Sequence, residues 1–402
     1  MSQLSRIAGF TLLVISSLTI MVGTVFAPGL QGVASALGVD HFATWLITLP
    51  ALGAVLFAPV AGRIIDKFGA YYALLFGLAL YGLLGVGSIF LYGPYFVFAD
   101  RILLGAATAI VMAGGTTLIS LWYQGHKRLS MIAKQGMAIE LGGVIFLFIG
   151  GQLALEGWQL PFGLYLIAWV CLILMLVFIP KNSPTLSSSV HSTKAEKRPA
   201  TSLTLVYLMS VLSMVLFFIA IAVLPMSMAN SGFSEGEIGL FLAFISLIAV
   251  VGALIMPKLV IKLGEKTVLT LAMCMFASTH FTFFHADAVQ LLILGGVFCG
   301  LGFGFSIPLL NHMVVEQSHP QYRGRNLSYF TMAVFLGQFL TSFVEFLPGE
   351  RSAVYAVAGI AAAIIVCLLI AGRKTARPKT ARLKSARRKI SRRDSTEISK
   401  AK

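Results

Sequence analysis

The sequence predicts an all-α membrane protein with twelve transmembrane helices in two repeated six-helix halves, and three observations predict it. The 402-residue chain is 58% hydrophobic and only 11% charged, with a mean hydropathy of +0.90, so it carries too little polar surface to cover a soluble globule. Its apolar runs have helix length, about 20 residues each, rather than the shorter alternating pattern of an outer-membrane barrel. Residues 62–74, Gly-Arg-Ile-Ile-Asp-Lys-Phe-Gly-Ala-Tyr-Tyr-Ala-Leu, return in shape about 195 residues later as Pro-Lys-Leu-Val-Ile-Lys-Leu-Gly-Glu-Lys-Thr-Val-Leu, which sets Lys67 on Lys262, Gly69 on Gly264 and Leu74 on Leu269. Such a recurrence is the mark of a duplicated half.

Windows of roughly 20 apolar residues give the elements in order. The first six spans are expected near 9–33, 43–62, 72–92, 96–119, 132–153 and 160–179, and the second six near 203–228, 238–260, 267–284, 289–312, 327–346 and 352–372. Residues 1–180 then form the first half and 202–372 the second. Between them 181–201 is rich in Ser, Pro, Thr and Lys, cannot bury an apolar face, and reads as a cytoplasmic linker. The last segment, 373–402, is a basic and disordered cytoplasmic tail.

Lysine and arginine fall on alternate connections: Arg63 and Lys67; Lys127, Arg128 and Lys134; the linker; Lys258, Lys262 and Lys266; Arg323 and Arg325; and the tail. The opposite connections carry Asp40, Glu156, Glu235, Glu237, Asp287 and Glu350, with Arg351 as their one base. The positive-inside rule therefore puts both termini in the cytoplasm, in a plasma membrane of bacterial inner-membrane type. The N-terminal apolar run lacks a small-residue cleavage site and reads as a retained first helix.

The net charge of +15 is lopsided, because 373–402 holds 13 basic and 2 acidic residues and leaves only +4 to the rest. A basic tail directly after a membrane helix is expected to anchor on anionic lipid headgroups, with no nucleic-acid partner. Cys171, Cys274, Cys299 and Cys367 lie inside apolar runs without metal-ligand spacing, so neither a disulfide framework nor a metal site is expected. The glycines of Gly300-x-Gly302-x-Gly304 fall inside a span, which rules out a phosphate loop, and no nucleophile constellation appears. No enzyme activity, catalytic residue or cofactor is expected, and energy would come from an ion or solute gradient.

Within 62–74, Gly62 and Gly69 suit a tight turn, Arg63 and Lys67 hold the link on the cytoplasmic side, and the Asp66 carboxylate can accept hydrogen bonds from a neighbouring helix N-terminus. A solvated turn would look much the same. A glycine, an aspartate four residues on, a basic residue and a second glycine between the second and third spans resemble the signature loop of the major facilitator superfamily. The resemblance implies the major facilitator fold and a latch between the halves, carried here by Gly62, Asp66, Lys67 and Gly69, with the aspartate engaging a helix end in the outward-facing state. Ala70, Tyr71 and Tyr72 stand where many members carry basic residues.

Polar groups inside the spans supply the candidate site. Asp100 and Arg101 sit near the outer third of the fourth span, where charge costs at least about 2.5 kcal/mol per group and calls for a partner or a watery cavity. Adjacent residues, about 100° apart on a helix, are not expected both to point inward. Arg101 and Gly105 resemble the Arg-x-x-x-Gly motif of drug and proton antiporters of the same superfamily, whose arginine is proposed to assist proton transfer, whereas snorkelling is the plain alternative for such an arginine. Glu140, near the middle of the fifth span among Gly136, Gly142 and Gly143, must be paired, hydrated or protonated, which makes it a candidate proton carrier or a structural partner of a base. Gly150 and Gly151 match the end of the antiporters' Gly-Pro-x-x-Gly-Gly motif, with Phe146 and Leu147 in place of its Gly-Pro. In the first span Ser16, Ser17, Thr19 and Thr24 are polar but no carboxylate is present. Small residues at helical spacing, Gly105, Ala109 and Ala113 in the fourth span and Gly296, Gly300 and Gly304 in the tenth, are expected to let backbones touch. In the second half Asn311, His312 and Glu316 cluster at the cytoplasmic end of the tenth span, His280 is expected to be a peripheral or packed side chain, and Gln338 and Asn311 are possible cavity polar groups.

The resulting expectation is a monomeric secondary transporter for a small-molecule substrate and protons, working by alternating access. Proton-coupled efflux of small organic molecules leads, with proton-coupled uptake or exchange of a small organic acid or metabolite as the alternative. A non-transporting membrane sensor that uses its basic tail for docking is a third reading.

Overall fold

A computed structural model describes residues 4–123, 125–181, 201–286, 288–318, 323–346 and 353–371. Of the expected linker only residues 181 and 201, and of the expected tail none, lie within the described residues. Among the described residues twelve helices are long and apolar enough to cross a membrane: Arg6–Thr24, Trp45–Phe68, Ala70–Phe90, Pro94–Trp122, Lys134–Glu156, Leu160–Phe178, Leu203–Asn230, Glu235–Leu263, Glu265–Phe284, Val289–Gln317, Asn326–Val344 and Ala353–Ala371. They are called spans 1 to 12 below. Among the described residues every regular element is helical.

Local chemistry starts several of these helices. Ser5 caps span 1 by accepting from the Ala8 amide at 3.1 Å. Ser234 and Glu237 form a capping box at the start of span 8, each satisfying an amide that the first turn leaves free. Pro94 occupies the first turn of span 4, where its missing N–H costs nothing.

Three expected boundaries are corrected. Span 1 ends at Thr24, and a separate short helix, Leu30–Ala36, follows it. Span 6 begins as a 3-10 segment, Leu160–Leu166, that joins the helix Ile167–Phe178. Gly62 is not part of a turn: span 2 stays helical through Phe68, because Arg63, Asp66 and Lys67 extend its end into water, and the chain reverses only at Gly69.

Gly69 carries the reversal at φ 83° and ψ 152°, and Gly264, its counterpart between spans 8 and 9, has φ 83° and ψ 151°. Both amides close the preceding helix at 2.8 Å, onto Ile65 and Val260. That conformation belongs almost solely to glycine, so the sequence recurrence is also a recurrence of backbone geometry.

Close backbone contact builds both halves in the same way. Span 2 runs along span 4, where Gly105 meets the Pro50 carbonyl, and span 8 runs along span 10, where Gly300 and Gly304 meet the Ile245 and Ala249 carbonyls. A Cβ at either tenth-span glycine would lie 2.5 Å from its carbonyl, well inside contact distance. Tyr81 and Tyr165 donate to the Leu18 and Val22 carbonyls at 2.6 and 3.0 Å, stapling spans 3 and 6 onto span 1. The two halves meet where span 5 lies along span 8 and span 2 along span 11.

Candidate functional site

The seam between the halves is sealed at the end away from Arg63 and Lys67, here called the far end. Gly151 of span 5 and Gly239 of span 8 touch through their backbones, and a Cβ on either would come within 2.7 Å of the other's Cα. On the opposite side of the seam Trp45 Nε1 donates to the Ser342 carbonyl at 3.2 Å, and the Thr48 and Ser342 hydroxyls share a hydrogen bond. Gln338 donates across the same contact to the Ile47 carbonyl at 3.4 Å, in space left beside Gly23. Rings of Phe42, Trp45, Phe98, Phe343 and Phe346 close around these bonds, with centroid separations of 5.4 to 6.5 Å. The Glu235 carboxylate lies against Gly29 and Gly32 of the other half.

At the basic end Asp66 and Lys67 are exposed, and a Cβ at Gly62 or Gly69 would meet nothing within 4 Å. Asp66 has no hydrogen bond or ion pair among the described residues. The four residues of the expected latch thus share one helix end and its turn, and among the described residues Asp66 and Lys67 have no ion pair across the seam.

Asp100 and Arg101 are both buried, 7% and 1% exposed, which corrects the expectation that only one could turn inward. Arg101 Nη2 and Nε donate to the Asp100 Oδ2 at 3.0 and 3.3 Å. Ser88 of span 3 donates to the same oxygen at 2.6 Å and accepts from Arg101 Nη2. The rings of Phe26 and Phe162 cover the guanidinium, their centroids at 5.5 and 5.8 Å. This ion pair sits inside the first half, between spans 3, 4 and 6 and the link that follows span 1.

Glu140 is half-buried and has no hydrogen bond or ion pair among the described residues. Gly143, one turn further along the same face, lies against Ile20 of span 1 and Ser246 of span 8. Leu147, a further turn on, presents its carbonyl to Gly239. Glu140 is therefore the carboxyl that follows the span 5 and span 8 contact toward the basic end. Gly150 meets the Val25 carbonyl while Gly151 meets span 8, so the two glycines of the partial antiporter motif serve one helix face each.

The remaining candidates separate. Asn311 is half-buried with Oδ1 unpartnered, and His312 faces Glu265 at 3.9 Å within the second half. His280 is fully buried, its Nε2 3.0 Å from the Leu216 carbonyl, a packed side chain. The span 1 hydroxyls of Ser16, Ser17, Thr19 and Thr24 all donate to carbonyls of their own helix.

Sequence reasoning missed Gln135, which is buried and donates to Ser16 at 3.1 Å and Thr116 at 3.0 Å, tying spans 1, 4 and 5 together. Its signal was present, an amide in an apolar run five residues before Glu140. Ser88, Thr48 and Ser342 gave none, since an isolated hydroxyl in a span usually bonds its own helix.

Comparison with known proteins adds the following. The model of the Major Facilitator Superfamily matches residues 12–209 and 206–397, one match on each half. Multidrug resistance protein 2 of Bacillus subtilis (strain 168) is 26% identical over 319 residues, covering 73% of this chain and 77% of that protein. The arabinose-proton symporter of Escherichia coli (strain K12) is 26% identical over 186 residues, 44% of this chain, and the chain matches only 39% of that symporter's length. Among solved structures, the nucleoside transporter NupG superposes with a TM-score of 0.71 at 14% identity, covering 90% of this chain and 98% of that one. The D-xylose-proton symporter does so with 0.67 at 19%, covering 90% and 95%.

Proposed function

We propose a function in secondary transport from one premise: the chain belongs to the major facilitator superfamily. In this reading the protein carries out proton-coupled efflux of small organic molecules, its two halves rocking about the seam to expose a central site alternately to each side. Both termini are cytoplasmic, the membrane is a bacterial inner membrane, and the protein acts as a monomer. The basic end then faces the cytoplasm, and a sealed far end corresponds to an inward-open state. Gly62, Asp66, Lys67 and Gly69 act as the latch when the basic end closes.

The observation that carries this reading is Glu140, a half-buried carboxyl without a partner beside the helix contact that must part and re-form. A carboxyl in that position exchanges a proton as its surroundings alternate between water and packed helix, so its protonation biases the two states. To the enclosed Asp100–Arg101 pair we assign a positioning role, holding spans 3 and 4 in register with span 6 and the link that follows span 1. Gln338 acts at the far-end closure, and Asn311, with an unpartnered oxygen, is available as a polar contact in the second half. Similarity to Multidrug resistance protein 2 over about three quarters of both chains supports efflux, and partial similarity to a proton symporter supports the coupling ion.

Everted membrane vesicles given a pH gradient test it. A panel of small organic solutes is expected to include one that accumulates only with the gradient, and Glu140→Gln is expected to abolish the dependence on pH while leaving binding intact. Full coupling in that variant would remove Glu140 from the mechanism. A second reading, proton-coupled uptake of a small organic acid or metabolite, is favoured by Phe146 and Leu147, both buried where the antiporter motif has Gly-Pro. Gradient-stimulated uptake into intact cells, without efflux, would select it.

A further inference from the structure

A cavity of about 530 Å³ opens at the basic end of the first half, away from the far-end closure and from the Asp100–Arg101 pair. Its lining includes three cations from two stretches of chain: Arg6 at the start of span 1, and Lys127 and Lys134, two turns apart on the helix Gly125–Glu156 that carries span 5. No carboxylate lines it, and none of the three cations has an ion pair among the described residues. All three are exposed, so water screens their mutual repulsion, and an anion seated between them would gain attraction from each at close range.

The rest of the lining is apolar and aromatic. Phe10, Leu13 and Met131 line it as well, and Phe10 is 66% exposed, a large ring left uncovered. Tyr123 contributes its hydroxyl next to Gly9, and any side chain at residue 9 would press on that oxygen, since a Cβ there would lie 2.7 Å away. A ligand matched to this lining combines a negatively charged head with an apolar body. Inorganic anions satisfy the first half of that description only.

We propose that this cavity binds an amphipathic phosphate anion, the headgroup of an anionic phospholipid held by Arg6, Lys127 and Lys134 with its chain against Phe10, Leu13 and Met131. Basic pockets between transmembrane helices select such headgroups because the phosphate gains several charges at close range while the chain stays out of water. None of the residues of this site belongs to the basic segment 373–402, and the proposal does not depend on which solute the protein carries.

The test is thermal unfolding of the purified full-length protein in neutral detergent, titrated with phosphatidylglycerol, with phosphatidylcholine of the same chains, or with inorganic phosphate. Phosphatidylglycerol is expected to raise the melting temperature above the phosphatidylcholine value, and inorganic phosphate to leave it unchanged. Lys134→Gln alone should weaken the apparent affinity for phosphatidylglycerol roughly fivefold. The combined Arg6→Gln, Lys127→Gln, Lys134→Gln variant should lose the preference, whereas Arg6→Lys with Lys127→Arg and Lys134→Arg should keep it. An undiminished preference in the triple glutamine variant would overturn the proposal and assign the lipid effect elsewhere, to the tail. An equal shift with inorganic phosphate would also overturn it, by making the ligand a free anion. If the triple variant fails to fold, an unchanged affinity in Lys134→Gln has the same force.

Discussion

At Arg101 the cost of taking a cation out of water, at least about 2.5 kcal/mol on insertion scales, is offset by an adjacent carboxylate, a serine hydroxyl and two aromatic faces, with Nη1 left without a hydrogen-bond partner. Removing one partner should hurt far more than removing the pair, because a lone buried charge keeps its desolvation penalty with nothing to offset it. Arg101→Leu is therefore expected to destabilise the purified protein by about 3 to 5 kcal/mol. Asp100→Leu combined with Arg101→Leu should cost clearly less, and thermal unfolding of the single and double variants measures the difference. Equal losses in both would mean that the pair contributes little and that local packing dominates. Burial of Asp100 and Arg101 together could not be read from the sequence. Helical spacing sets where a Cα–Cβ bond points, but a long side chain bends beyond it, and Arg101 reaches the carboxylate of its neighbour. Glu140 stood out in the sequence as a carboxyl inside an apolar span, and its role there is the proposal made above.

The elements show which sequence signals carry through to geometry. Gly69 and Gly264 were visible as a repeat, and they share a backbone conformation that a Cβ strains. Gly69→Ala and Gly264→Ala should each cost about 1 to 3 kcal/mol. Similar melting-temperature losses are expected from the two, since a Cβ at either site meets no neighbour and the backbone alone sets the penalty. The glycines of spans 4 and 10 were expected as packing positions and pack as such, because small residues are what apolar helices need in order to approach. Their partners across the seam were not visible. Trp45 and Ser342 are nearly 300 residues apart in the chain, and nothing local in either segment names the other. Gly239 belongs to this seam, and Gly239→Val should force spans 5 and 8 apart at the far end while sparing each half. The measurement is thiol labelling of a cysteine introduced near residue 151, which should rise in the variant. Unchanged labelling would show that the far-end closure does not depend on this contact.

For the whole molecule, two similar bundles meet along spans 2 and 11 on one side and spans 5 and 8 on the other, sealed at one end. Hydropathy made the number of spans legible, since span length follows from the bilayer's thickness and from the cost of unsatisfied backbone in lipid, and the recurrence of residues 62–74 marked the duplication. Which end is closed was not legible, because the alternative states of such a protein share one sequence. Deleting residues 373–402, which carry a net +11, is expected to preserve insertion and transport if the tail serves only as an anchor on anionic lipid. Loss of a signalling output in the absence of any measurable flux would instead favour the sensor reading.

The central claim is that the far-end seal is a gate whose state follows the protonation of Glu140. Spin labels at His41 and Ser231, exposed far-end positions on opposite halves, report the gate directly when their separation is measured by double electron–electron resonance across a range of pH. Two distances are predicted, with populations that shift with pH in the native protein and stay fixed in Glu140→Gln. A single short distance at every pH, identical in both proteins, would contradict the account.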